Sequence, residues 1–183
     1  MQTGRVDGAV DWDTRRLDAF RQHGFAGFEL LGPAVAEPQR FLTKHETDFR
    51  HCGVYVIFAP RSWEPRWLTQ DLTNVIRQWA AAKLRERWVE GVELVYVGCA
   101  GRTASSRTLH KRIKDLLRHG AGRTTDRGPH KGGERLWQCR GWQQFRVAWK
   151  VTGGYPEPHC FEVAIGCRFA ELAGKLPFAN ERL

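Results

Sequence analysis

Two tyrosines stand in apolar runs built alike: Tyr55 in HCGVYVIFAP (residues 51–60) and Tyr96 in ELVYVGCAG (residues 93–101). Each run sets a glycine two residues from its phenol. Such a phenol is either core with a satisfied hydroxyl or a group that orients water or takes its proton. Arg112, in LHKRIKDLL, carries a guanidinium that can hold a phosphate through two parallel hydrogen bonds or sit solvated. Glu162 can complement the start of a helix or offer a hard divalent cation the oxygen it prefers. His130, in GPHKGGERLW, lies among cations in a glycine-flanked loop, where a histidine is usually incidental. Together these types suit phosphodiester hydrolysis, which needs a positioned water, a cation and a clamp on the phosphate charge.

The charge distribution names the class of partner. Net charge is +9 over 183 residues, yet residues 102–150 hold thirteen Lys or Arg against three acids, a local +10. The rest of the chain is therefore near −1. Charge runs often mark a solvated face, but one this concentrated favours a polyanion, nucleic acid above all. Lys111, Arg118, Arg123, Arg127 and Lys131 are the side chains placed to meet it. No G-x-x-x-x-G-K-[ST] or G-x-G-x-x-G follows a strand-like run, so no nucleotide cofactor is expected. Five cysteines with no C-x-x-C argue against a disulfide framework and for a reducing cytoplasm. The pairs His51-Cys52 and His159-Cys160 lack zinc-site spacing. No apolar run is long enough for a membrane span, and the first residues hold no signal core.

These side chains need elements to position them. Residues 13–23 read as a short helix ended by Gly24, followed by a Gly/Pro-punctuated, irregular stretch. β-branched and aromatic content predicts strands over 54–59, 93–99 and 144–152. Between the first two, Leu72, Val75, Ile76, Trp79, Ala80 and Leu84 predict an amphipathic helix over 71–88. Leu109, Ile113, Leu116 and Leu117 predict another, capped by Ser105 or Ser106 and stopped at Gly120. Residues 121–137 read as a basic loop. Pro158 opens a last helix, ended by Gly174, with Phe161, Ile165, Phe169 and Leu172 inward and Glu162 beside that stripe. The economical arrangement is an α+β layer fold, a small three-stranded antiparallel sheet flanked by helices. Residues 1–50 form an N-terminal helical arm packing on a main domain of 51–183, which carries an inserted helix at about 60–92.

The order of these features resembles the GIY-YIG endonuclease family over residues 53–180. Gly53-Val54-Tyr55 stands for its first motif and Tyr96-Val97-Gly98 for its second. Arg112 falls where the family places a helical arginine, Glu162 matches its metal-binding glutamate, and Asn180 its terminal asparagine. HKGGERLW looks like the His-Gly-Gly segment of the restriction-enzyme branch, which strengthens the claim of His130. The resemblance implies one-metal hydrolysis of double-stranded DNA. Glu162 would hold Mg²⁺ or Mn²⁺, Tyr55 would serve as base or relay, and Tyr96 would place water or phosphate. Arg112 would stabilise the developing charge and His130 assist proton transfer. Two departures stand out: the tyrosine motifs are separated by the inserted helix, and no separate recognition domain is visible. The alternative is a nucleic-acid-binding module of the same fold without catalysis. Clean double-strand cleavage from one site would call for a homodimer or sequential nicking.

Overall fold

The computed structural model describes residues 10–68, 78–101, 107–123 and 133–183. Helix α1 (Leu17–Gln22) leads into strand β1 (Ala26–Leu30) and three short helices, α2 (Leu31–Ala36), α3 (Pro38–Lys44) and α4 (Glu46–Phe49). Then come β2 (Gly53–Phe58), α5 (Ala81–Arg87), β3 (Leu94–Ala100) and α6 (Leu109–Gly120). The one-turn α7 (Gly133–Leu136), β4 (Arg146–Val151) and the long α8 (Glu157–Ala173) complete the order. The fold is α+β, with one antiparallel sheet in the order β1-β4-β2-β3.

The sheet has four strands where the sequence predicts three. The extra strand, β1, comes from the stretch read as irregular and pairs with β4. Its alternation is hidden by a register shift between Gly27 and Glu29 and by positive φ at Gly27 (+88°) and Phe28 (+58°). A bulge of this kind spoils the period-two signal while keeping the pairing. Any side chain on Gly27 would collide with the Trp149 ring, so the glycine there is a packing requirement.

Alternation along β2 and β3 divides the core in two. Tyr55, Ile57, Tyr96 and Ala100 face the layer of Leu109, Ile113, Leu116 and Leu117 from α6. Val54, Val56, Val97 and Cys99 face Ile165 and Phe169 of α8. The sheet is thus sandwiched between the two predicted helices. The α6 helix runs through Gly120 instead of stopping there; Gly122, at φ +68°, makes the turn. A Cβ on Gly120 would stand 2.9 Å from the Trp137 ring, so that glycine serves packing. In α8 the buried stripe is Pro158, Glu162, Ile165, Gly166 and Phe169, which corrects the expected one: Glu162 lies on the stripe.

The inserted helix is shorter than the periodicity predicts. Residues 69–77 lie outside the described residues, and 78–80 are not helical. The Gln138 amide holds the Trp79 N–H at 2.8 Å and the Trp79 carbonyl at 2.9 Å, which fixes that backbone outside a helix. Residues 133–136, read as loop, form α7 and bury Arg135 beneath the C-terminal segment. Arg135 donates to the Ala179 carbonyl and to Glu181, and its guanidinium stacks over Trp79. Among the described residues no helix is long and apolar enough to cross a membrane.

Candidate functional site

Tyr55 and Tyr96 meet. Register pairs Tyr55 with Gly98, so both phenols project from the same face, and their hydroxyls stand 3.4 Å apart. Gly98 is what allows this. A Cβ there would lie 2.7 Å from Tyr96 Oη and 2.8 Å from Tyr55 Cζ and Oη. Gly53, the other motif glycine, is likewise pressed against strand β4, where a Cβ would strike the Lys150 carbonyl oxygen. Both glycines therefore act by omission of a side chain, one for strand packing and one for the phenols.

Arg112 sits in the first turn of α6, half-buried, and its charge acts on both phenols. Tyr55 chiefly, then Tyr96, holds the guanidinium above its already high value, so it is permanently charged. Its Nε is buried without a hydrogen-bond partner among the described residues. A buried donor left unmet is costly, and an anion is the natural acceptor. Burial raises the pKa of both phenols above the ordinary tyrosine value. Tyr55 is drawn back by Arg112 and by the Tyr96 hydroxyl, whereas Tyr96 is raised well above it. Tyr55 is consequently the phenol better placed to carry negative charge.

Glu162 comes from the other layer. It sits in the second turn of α8 at 6% exposure, and its Oε2 accepts the Cys99 S–H at 2.9 Å. His159 Nδ1 lies 3.4 Å from the same oxygen. Cys99 belongs to β3 but points to the α8 face, opposite Tyr96. The set Tyr55, Tyr96 and Arg112 and the set Cys99, His159 and Glu162 thus flank one end of the sheet. Here β2 begins, β3 ends, and both α6 and α8 start: the Leu109 N–H donates to the His51 carbonyl at 2.9 Å. The charge on Glu162 is felt by both phenols across this end.

Asn180 braces the strand that carries Tyr96 and Gly98. Its Oδ1 accepts the Val97 N–H at 3.0 Å and its Nδ2 donates to the Val97 carbonyl at 2.8 Å. With the Ala179 N–H on the Val95 carbonyl, the C-terminal segment covers the otherwise open edge of β3. Arg87 in turn donates to the Asn180 carbonyl.

Of the cationic residues, Lys111, Arg118 and Arg123 are exposed. Lys111 lines a surface cleft of about 430 Å³ with Arg50, Thr108 and His110, next to the start of α6. His130, Arg127 and Lys131 lie outside the described residues, as do Ser105 and Ser106. Sequence reasoning missed Cys99 and Arg135, and took His159 only as half of a pair lacking zinc spacing. His159 and Glu162 are three apart on a helix, a spacing visible in the sequence. Only the fold supplies Cys99. The chain matches no protein-family model, no curated protein and no solved structure.

Proposed function

We propose that the protein is a metal-dependent endonuclease hydrolysing DNA phosphodiester bonds, with a site of the GIY-YIG kind. One observation supports this reading above the rest. Two buried phenols 3.4 Å apart stand under the charge of an arginine whose Nε is unmet among the described residues. An unmet Nε alone is not distinctive, since Arg135 and Arg168 also have one; its place beside two paired hydroxyls is what supports the reading.

In this reading Arg112 binds the scissile phosphate and stabilises the charge that builds as water attacks. Tyr55 orients that water. Because both phenols stay protonated at neutral pH, Tyr55 works as an orienting hydroxyl and relay and not as a standing phenolate. Tyr96 holds the Tyr55 hydroxyl, and Asn180 fixes the strand beneath it. Glu162 offers the one carboxylate that Mg²⁺ or Mn²⁺ takes from a protein when waters and phosphate oxygens complete its shell, so this residue fits such an ion. Bound there, the cation would supply Lewis-acid charge at the phosphate. The starts of α6 and α8 add the positive ends of two helix dipoles near the same place.

The test is incubation of the purified protein with supercoiled plasmid in Mg²⁺ or Mn²⁺, beside a chelator control. Metal-dependent conversion to nicked or linear plasmid is the expected result. Plasmid bound but never cut, across methylated and structured DNA, would leave a binding module of the same fold.

A further inference from the structure

The α8 side of the sheet end carries a donor set that magnesium chemistry does not explain. Cys99 Sγ, a ring nitrogen of His159 and a Glu162 carboxylate oxygen all lie within 4.8 Å of one another. Cys99 and Glu162 are buried, while the His159 side chain is 32% exposed, leaving an entry on that side. A buried carboxylate is ordinarily matched with lysine or arginine. Glu162 instead meets a thiol and an imidazole, and both of these are ligands for softer metals.

The geometry points to a cysteine–histidine–glutamate site for a borderline divalent cation of the zinc class, sharing Glu162 with the hydrolytic ion. Ligand atoms around tetrahedral zinc stand roughly 3.3–3.6 Å apart, given Zn–S near 2.3 Å and Zn–N and Zn–O near 2.0–2.1 Å. The present separations on Glu162 Oε2 are 2.9 Å to Cys99 Sγ and 3.4 Å to His159 Nδ1. The third pair, Cys99 Sγ and the His159 nitrogen, lies within 4.8 Å, so side-chain adjustments on the order of 1 Å bring all three atoms to zinc distances. Three protein ligands leave a fourth position for water. On binding, the Cys99 S–H proton now donated to Glu162 passes to solvent, leaving thiolate on the metal. Sulfur discriminates strongly here: it contributes nothing to magnesium and much to zinc. The three ligands come from two elements, β3 and α8, which explains why neither His-Cys pair shows zinc spacing in the sequence.

Under the nuclease reading, zinc held by Glu162 together with Cys99 and His159 competes with the hydrolytic cation for that carboxylate, so added zinc inhibits cleavage. The competing state is a hydrogen-bonded triad that binds no metal.

The experiment uses cobalt(II) as a spectroscopic zinc mimic on the full chain. Wild-type protein should show a sulfur-to-cobalt charge-transfer band and intense visible bands of four-coordinate cobalt, bleached by stoichiometric Zn²⁺. The Cys99→Ser variant should lose the charge-transfer band, and His159→Gln should weaken Zn²⁺ binding. Each substitution should weaken affinity by at least the roughly 10–100-fold that outer-shell partners cost. Variants Cys160→Ser and Cys167→Ser, at exposed positions, should keep the band. Circular dichroism and thermal unfolding of each variant confirm that it is folded. Absence of the band in wild type, or its survival in folded Cys99→Ser, would overturn the site. If the protein cuts plasmid, added Zn²⁺ should inhibit wild type and inhibit Cys99→Ser far less; equal inhibition would overturn the shared ligand. A band that behaves as expected in a protein that never cuts DNA would uphold the zinc site and sink the nuclease reading alone.

Discussion

Tyr55 and Tyr96 are chemically equal in sequence and unequal in place. Both are buried, but Arg112 and the Tyr96 hydroxyl pull Tyr55 toward ionisation while Tyr96 is pushed further from it. If Tyr55 orients and relays, Tyr55→Phe should lower the cleavage rate by roughly 10²-fold or more. Rates equal to wild type would assign it to packing. The raised pKa values also predict alkaline behaviour. Folding favours the neutral phenols, so their contribution is complete below the unfolded value, about pH 10, and is lost as pH rises through the folded values. The melting temperature of the Tyr55→Phe/Tyr96→Phe double variant should fall less than that of wild type between about pH 9 and 11; parallel curves would contradict the burial argument. At this scale the sequence is readable for residue type and order, since Tyr55, Tyr96 and Arg112 stand together in the fold and Asn180 holds the strand that carries Tyr96. It is not readable for Cys99, which looks like any small apolar strand residue until α8 brings Glu162 beneath it.

The elements set these distances, and glycines and braces set the elements. Gly98→Ala should force the phenols apart, costing roughly 1–3 kcal/mol by overcrowding and lowering activity with it. Thermal unfolding and plasmid nicking measure both, and a variant stable and active as wild type would mean the phenols do not need their spacing. Asn180→Ala removes the side chain that serves both Val97 backbone groups and should cost roughly 2–4 kcal/mol in chemical denaturation. Strands β2 to β4 are legible in the sequence from their β-branched and aromatic content, and helices α6 and α8 from apolar residues recurring at helical spacing. Strand β1 is not, because a bulge and positive φ break its alternation. Nor is the true start of α5, where Gln138, some sixty residues away, holds the Trp79 backbone and overrides a helical pattern. The place of Glu162 on the α8 stripe is hidden for a related reason: a carboxylate occupies a core position only when partners from elsewhere receive it.

For the whole molecule, the excess positive charge of residues 102–150 is the feature that binding should report. Lys111, Arg118 and Arg123 are exposed on and after α6. Replacing the three by glutamine should reduce the slope of log affinity for DNA against log salt by roughly 0.9 for each phosphate no longer neutralised. An unchanged slope would mean that this face turns away from DNA. The nuclease reading asks for more than DNA binding: Arg112 and Glu162, on opposite faces of one sheet end, must act on the same phosphate. Single-turnover cleavage and DNA affinity, measured side by side for wild type, Arg112→Ala and Glu162→Gln, address that requirement without intermediaries. Both variants should cleave roughly 10²–10³-fold more slowly, with Glu162→Gln binding DNA about as tightly as wild type. A wild-type cleavage rate in either folded variant would show that the two residues do not share a phosphate.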